Sequence, residues 1–194
     1  MMKRGDSLSY HPRMRRETEI DGRRIVVVDD VLSGARLTNL AAWLELAPAQ
    51  RIEGDSASSD ARSWSITFDH DAVPSQPYYD AMMREVASVF PDETFTLKRA
   101  YCNVVSFGDI LVPHRDSRFE RDVTALLYVA ETWEKNWGGE TIFFDDSGDA
   151  RHVVSPRPGR LVLFHSMIEH CGTAPSRLCT RARMTLALKL KAAA

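Results

Sequence analysis

The residues whose types and spacing could do chemistry lie in Pro113-His114-Arg115-Asp116-Ser117, directly after a hydrophobic run. On an extended segment, side chains two apart point to the same side. His114 and Asp116 can therefore reach one cation, while Arg115 points away. Alone, His-x-Asp is a weak signal, equally compatible with an exposed, salt-bridged turn. It gains force from a third ligand on another strand. His170 can fill that role, in Phe164-His165-Ser166-Met167-Ile168-Glu169-His170-Cys171-Gly172. Two imidazoles and one carboxylate leave coordination positions open, a donor set that suits non-haem Fe(II). His165 could be mistaken for the ligand, but it directly follows the apolar run ending at Phe164. His11, His70 and His152 have no evident partners and read as surface residues.

Ligands far apart in sequence must be brought together by the fold. From residue 95 onward, short strand patterns alternate with turn signals, over residues 94–107, 123–129, 141–144, 150–154, 160–164 and 183–191. Gly108-Asp109, Gly138-Gly139, Ser147-Gly148-Asp149 and Pro156-Arg157-Pro158-Gly159 punctuate them. Close strand spacing with Gly/Pro turns argues for a β barrel or sandwich. Upstream, Arg24-Ile25-Val26-Val27-Val28 is a short β-branched run that reads as a strand, and residues 64–68 alternate like one. Leu37, Leu40, Ala41 and Leu44 recur at helical spacing over residues 35–47, with Ser33 as an N-cap candidate. Tyr78, Met82, Val86 and Val89 mark a second helix over residues 75–90, stopped by Pro91. The expected fold is mainly β, with N-terminal helices packed against a β-core.

The 194 residues suffice for one sizeable core. Residues 1–22 are read as a flexible leader and 23–194 as a single domain, with its core at about 95–191. The polar start has no apolar segment of a secretory signal, and no stretch is apolar enough to span a membrane. Residues 54–63, rich in serine, read as a loop that could act as a substrate lid. A net charge of −2 gives no electrostatic case for nucleic acid. Cys102, Cys171 and Cys179 are an odd count without metal-type spacing, which points to reduced thiols and a cytoplasmic setting. Oligomeric state is left open.

The segment from about Phe95 to Lys191 resembles the catalytic core of the 2-oxoglutarate/Fe(II)-dependent oxygenases, most closely the prolyl 4-hydroxylase-like branch. The pieces come in the family's order. Phe107-Gly108-Asp109 precedes the His114/Asp116 pair, and Val123-Thr124-Ala125-Leu126-Leu127-Tyr128-Val129 resembles the second core strand. Trp137-Gly138-Gly139-Glu140-Thr141 looks like the family's Gly-Gly turn, and Pro158-Gly159-Arg160-Leu161-Val162-Leu163-Phe164 the strand before the distal His, here His170. Arg183-Met184-Thr185-Leu186 matches the closing Arg-x-Ser/Thr-aliphatic element.

This resemblance implies a double-stranded β-helix (jelly-roll) and Fe(II) held by His114, Asp116 and His170. It also implies 2-oxoglutarate as cosubstrate and O2 as oxidant. Arg183 is the favoured partner of the cosubstrate's far carboxylate, because Thr185 fits the small hydroxyl residue two positions later. Arg181, on the same strand face, is the runner-up. Tyr128 matches a residue that in some relatives adds a hydrogen bond to that carboxylate; by alternation it shares a face with Thr124 and Leu126. Nucleobase-demethylating relatives carry a second Arg six positions after the first, where Lys189 stands here, which argues against nucleic-acid repair. The expected activity is hydroxylation of an unactivated C–H bond with release of succinate and CO2. The expected substrate is a free amino acid or small natural product, or else a prolyl residue of a protein or peptide. A non-catalytic β-helix binding protein and a cupin-like metalloenzyme are the readings from other classes. Arg115 and Arg118, beside the metal motif, could meet an anionic substrate.

Overall fold

The computed structural model describes residues 14–52 and 63–193. Most of the expected leader and most of the expected lid loop lie outside the described residues, as does His11. Two antiparallel sheets carry the fold. The large one follows the order β1-β2-β9-β6-β11-β5-β4-β3 and the small one β10-β7-β8. Their ranges are β1 Arg15–Ile20, β2 Arg23–Val28, β3 Gln50–Ile52, β4 Ser63–Thr67, β5 Phe95–Val105, β6 Val123–Val129, β7 Thr141–Phe144, β8 Ala150–Val154, β9 Leu161–His165, β10 His170–Gly172 and β11 Arg183–Ala192. Helices α1 (Gly34–Leu46) and α2 (Pro77–Val89) precede the core strands.

Three strands were not foreseen. Residues 15–20, placed in the leader above, form β1 and pair along their length with β2. The turn is Asp21-Gly22, with φ of 50° and 75°. Two successive positive φ values make a hairpin turn that suits Asp-Gly. β1 is a polar edge strand, exposed along most of its length, so it carries no hydrophobic alternation. β3 and β10 have three residues each, too short to show a period. Ser33 stands at the N-cap of α1, but its side chain makes no capping hydrogen bond. α2 begins at Pro77, after a single 3-10 turn at Val73–Ser75; the ring fixes φ and suits the first helical position.

The central strand β6 is buried on both faces along its whole length, which is why it reads as a nearly continuous apolar run. On the large sheet's outer face Val123, Ala125, Leu127 and Val129 of β6, with Leu186, Leu188 and Leu190 of β11, pack against Leu37, Leu40 and Leu44 of α1 and Met82 and Val86 of α2. Its inner face holds Leu126 and Tyr128 of β6 and Val162 and Phe164 of β9. These join Phe143 of β7 and Val154 of β8 in a second, smaller cluster. Strand alternation therefore sorts β11 into two sets: Met184, Leu186, Leu188 and Leu190 face the helices, and Arg183, Thr185, Ala187 and Lys189 take the opposite face. Among the described residues no helix is long and apolar enough to cross a membrane.

Candidate active site

The stretch from Val112 to Ser117 belongs to no named strand, yet its backbone is fixed. The His114 amide donates to the His170 carbonyl at 3.0 Å, and the His170 amide donates back to the His114 carbonyl at 2.9 Å. Asp116 donates to Ser166 O at 2.9 Å. This antiparallel bridge sets the two histidines side by side, with ring centroids 4.6 Å apart. Val112–Ser117 thus lies along the 166–170 segment, at the open end of the sandwich.

One ligand atom from each of His114, Asp116 and His170 falls within 4.8 Å of the others. His114 Nε2 lies 3.5 Å from Asp116 Oδ1, and His170 Nε2 lies 3.4 Å from Asp116 Oδ2. The other nitrogen of each ring faces a backbone carbonyl: His114 Nδ1 is 3.0 Å from Val112 O, and His170 Nδ1 is 2.9 Å from Ile168 O. A carbonyl can only accept, so each Nδ1 carries a proton and each Nε2 faces the cluster. Metal-binding imidazoles are oriented in this way. His170 is packed between Phe164 at 4.6 Å and Phe143 at 5.8 Å. That burial pushes its pKa down to about 4, so the ring is neutral at pH 7. For Asp116, burial acts to raise the pKa, but Lys189, His170 and His114 outweigh it and hold the carboxyl well below its usual range. Lys189 Nζ sits directly on Asp116 Oδ2, and Thr124 Oγ1 donates to the same oxygen at 2.7 Å. Two imidazole nitrogens and one ionised oxygen on a single face form the donor set that Fe(II) takes in such sites, so the residues fit the ion.

A second polar centre lies deeper along β11. The Arg183 side chain is 2% exposed and is the largest fully buried one in the described protein. Its Nε donates to Gly139 O at 2.6 Å, Nη2 to Thr141 Oγ1 at 2.9 Å and Nη1 to Thr185 Oγ1 at 3.3 Å. Thr141 Oγ1 lies 2.6 Å from the Tyr128 hydroxyl, which donates to Val154 O at 3.1 Å. The guanidinium stands 5.2 Å over the Tyr128 ring. Gly172 of β10 makes room for it: a Cβ there would come within 3.0 Å of Nη1 and 3.2 Å of Cζ. Every partner is a neutral oxygen, and among the described residues no carboxylate pairs with Arg183. Burying an uncompensated charge is costly. This pocket therefore fits an anion, and a planar guanidinium suits a carboxylate.

Arg183, Thr185 and Tyr128 thus gather in one place, while Arg181 is exposed and lines a separate cavity beside Trp133 and Met184. His165 faces elsewhere; its Nδ1 accepts a 2.9 Å bond from the Arg24 amide, which needs that nitrogen unprotonated. His70 is exposed and His152 half-buried, both outside the cluster. The three cysteines are buried free thiols. Three residues that matter locally were not anticipated: Thr124 and Lys189 on Asp116, and Thr141 linking Arg183 to Tyr128. Period-two counting back from Tyr128 reaches Thr124, and counting on from Arg183 reaches Lys189.

Residues 100–188 match the family model of the 2OG-Fe(II) oxygenase superfamily. No curated protein matches the sequence. Among solved structures, a prolyl-4-hydroxylase of Pseudomonas putida is similar over 95% of both chains, with a TM-score of 0.66 and 19% identity. A prolyl hydroxylase of Trichoplax adhaerens, in complex with a hypoxia inducible factor peptide fragment, is similar over 86% of this chain and 82% of its own, with a TM-score of 0.61 and 16% identity. A non-heme alpha ketoglutarate dependent carbocyclase from nogalamycin biosynthesis covers 86% of this chain and 78% of its own, at a TM-score of 0.63 and 14% identity. The family match over residues 100–188, the jelly-roll and the His114/Asp116/His170 cluster together mark a 2OG-Fe(II) oxygenase domain of prolyl 4-hydroxylase-like fold, an enzyme domain that uses Fe(II), 2-oxoglutarate and O2.

Proposed function

We propose that His114, Asp116 and His170 hold the iron and that Arg183, with Thr185 and Tyr128 beside it, holds the far carboxylate of 2-oxoglutarate. We propose further that the enzyme hydroxylates an unactivated C–H bond of a free amino acid or small natural product. The observation that carries the cosubstrate assignment is the buried Arg183, which has three neutral oxygen partners and no acid. Bound iron and 2-oxoglutarate supply O2 activation, releasing succinate and CO2 and delivering one oxygen atom to the substrate.

The chain's own residues do the rest. The Val112 and Ile168 carbonyls fix both imidazole orientations, so neither ring must rotate before it can ligate. Lys189 and Thr124 hold Asp116 ionised and oriented. Phe143, Phe164 and Leu126 line the interior between the cluster and Arg183 and keep water from it. Ala187 is the smallest inward side chain on β11 between Arg183 and Lys189, where an elongated cosubstrate needs space. A bidentate guanidinium–carboxylate pair then sets how far along the strand the cosubstrate reaches.

The second reading, a prolyl residue in a protein or peptide, draws support from the two prolyl hydroxylases of similar fold. A mass-spectrometric screen separates the two: a gain of about 16 Da, one oxygen atom, that requires both iron and 2-oxoglutarate, on a free small molecule for the first reading or on a peptide for the second. An oxidised product that forms equally well without 2-oxoglutarate would sink both.

A further inference from the structure

The cavity at the open end of the sandwich, about 240 Å³, is lined by Lys98, Arg99, Tyr101, His114, Arg115, Asp116 and Lys189. Its lining is mostly polar and strongly cationic, with Asp116 as its single acid. A local irregularity in β5 builds this charge. Opposite β11, Lys189 pairs with Arg99 while the next residue, Leu190, pairs with Leu97, so Lys98 is the extra residue of a β-bulge. Bulges re-aim side chains, and here Lys98 and Arg99, adjacent in sequence, both line one cavity. Regular alternation would have sent one of them to the opposite face. Tyr101 supports the set: Arg99 Cζ lies 4.6 Å and Lys189 Nζ 5.5 Å from its ring centroid.

These cations are not spent on one another's counter-charges. Arg115 is paired with Asp146 at 3.0 Å, outside the cavity. Lys189 is committed to Asp116, a carboxylate that must also serve the metal. Among the described residues, neither Lys98 nor Arg99 has a carboxylate partner. A chain with a net charge of −2 has thus gathered positive side chains around the approach to the reacting centre.

Resting on the oxygenase reading above, we propose that this cavity selects its substrate by an oxyanion, a carboxylate or phosphate, held by Lys98 and Arg99 with Lys189 behind them. The carbon to be oxidised would lie a few bonds from the anionic group. The volume sits below the usual range of roughly 300–1,000 Å³ for drug-sized ligands, which favours a small molecule over a folded or extended chain. Arg99, held against a tyrosine face, provides the fork that reads a planar carboxylate, and Lys98 adds a point charge.

The test uses the full protein loaded with Mn(II) and 2-oxoglutarate, with binding followed by ligand-observed saturation-transfer NMR. The probes are L-proline and L-leucine, their primary amides, glycerol 3-phosphate, and a proline-containing peptide capped at both ends. At least one acid or the phosphate ester should bind, with its neutral counterpart about tenfold weaker, the loss of roughly one charge-assisted bond. Arg99→Gln and Lys98→Gln should each remove most of that discrimination, raising KM more than they lower kcat once a turned-over acid is found. Arg84→Gln, which removes the same charge from the exposed side of α2, is the control and should leave the discrimination intact. The acid and phosphate arms separate the two oxyanion sources. Equal binding of acids and amides, binding of the capped peptide alone, no binding of any probe, or a preference that survives in the Arg99→Gln/Lys98→Gln double variant would each overturn the proposal. Succinate is measured in parallel with Fe(II). Its absence under every condition, while charge-selective binding persists, would strike at the oxygenase reading and leave the anion site standing.

Discussion

Replacing Arg183 with lysine tests the deepest part of the proposed site. The guanidinium spends Nε on Gly139 O, Nη2 on Thr141 and Nη1 on Thr185, and it keeps further N–H donors for an incoming carboxylate. Lysine preserves the positive charge but cannot satisfy this fork and a bidentate ligand together. Each hydrogen bond to a charged group is worth about 1.5–3 kcal/mol. At about 1.4 kcal/mol per tenfold, losing one raises the dissociation constant for 2-oxoglutarate about tenfold to a hundredfold. The maximal rate should change less, because the clamp is far from the keto group that reacts. The assay is a titration of 2-oxoglutarate read as succinate formed, paired with calorimetric binding to the Mn(II)-loaded protein so that affinity and turnover are read apart. Arg181→Lys is the comparison; its side chain is exposed and should move neither quantity by more than about twofold, the scale of an ordinary surface change. If Arg181→Lys carries the loss and Arg183→Lys does not, the assignment of the clamp is wrong. If neither does, the cosubstrate is held elsewhere and the buried arginine has a purely structural role.

His114→Ala, Asp116→Ala and His170→Ala should each abolish iron-dependent turnover while the far-ultraviolet dichroism stays native; full activity in any one removes that residue from the ligand set. His165→Ala should keep metal affinity within a few-fold, measured by metal titration, because that ring bonds to the Arg24 amide instead. Gly172→Ala places a methyl 3.0 Å from Arg183 Nη1; displacing the guanidinium by a few tenths of an ångström should raise KM for 2-oxoglutarate several-fold without loss of iron binding. Burial, with Arg24 next, lowers the His165 pKa in the fold, so protonation favours the unfolded chain. Its contribution to stability is therefore complete above the unfolded value of about 6.5 and is lost as the pH falls below it. Thermal unfolding at pH 7.5 and 5.5 should show a smaller pH effect in His165→Gln than in the parent.

How much of this could be read without the fold depended on how many residues carried each signal. The strands β6, β7 and β8 match their expected ranges residue for residue, because several apolar or β-branched residues in each are bounded by turns. β1 escaped notice because an edge strand with one face in water, reading Arg-Arg-Glu-Thr-Glu-Ile, has no apolar period to detect. Its one local clue was the Asp21-Gly22 turn. The His114/Asp116/His170 cluster was legible because the ligand chemistry itself restricts residue types. The Lys98/Arg99 bulge was not, since an inserted residue shows only when the partner strand's register is known.

The inward face of β11 shows why one strand can hold the whole active site together. Arg183 and Lys189 are six residues apart, about 20 Å at the strand's rise, and both long side chains lie on the same face. One ends among neutral oxygens and awaits an anion; the other ends on Asp116, beside a cavity of further cations. The first position is closely surrounded by Gly139, Gly172 and Tyr128. The second opens to solvent, so it can discriminate among incoming substrates. Between them stands Ala187, the smallest inward side chain of β11. Under the two proposals above, the spacing on this strand would separate the recognition of two anions by position: the cosubstrate in the interior and the substrate at the mouth. A single-residue slip in the pairing of β11 with β6 would turn both charged side chains towards the helices and destroy both sites at once. That register is fixed by Met184, Leu186, Leu188 and Leu190 on the opposite face, so the apolar packing against α1 and α2 is what keeps the catalytic face in place.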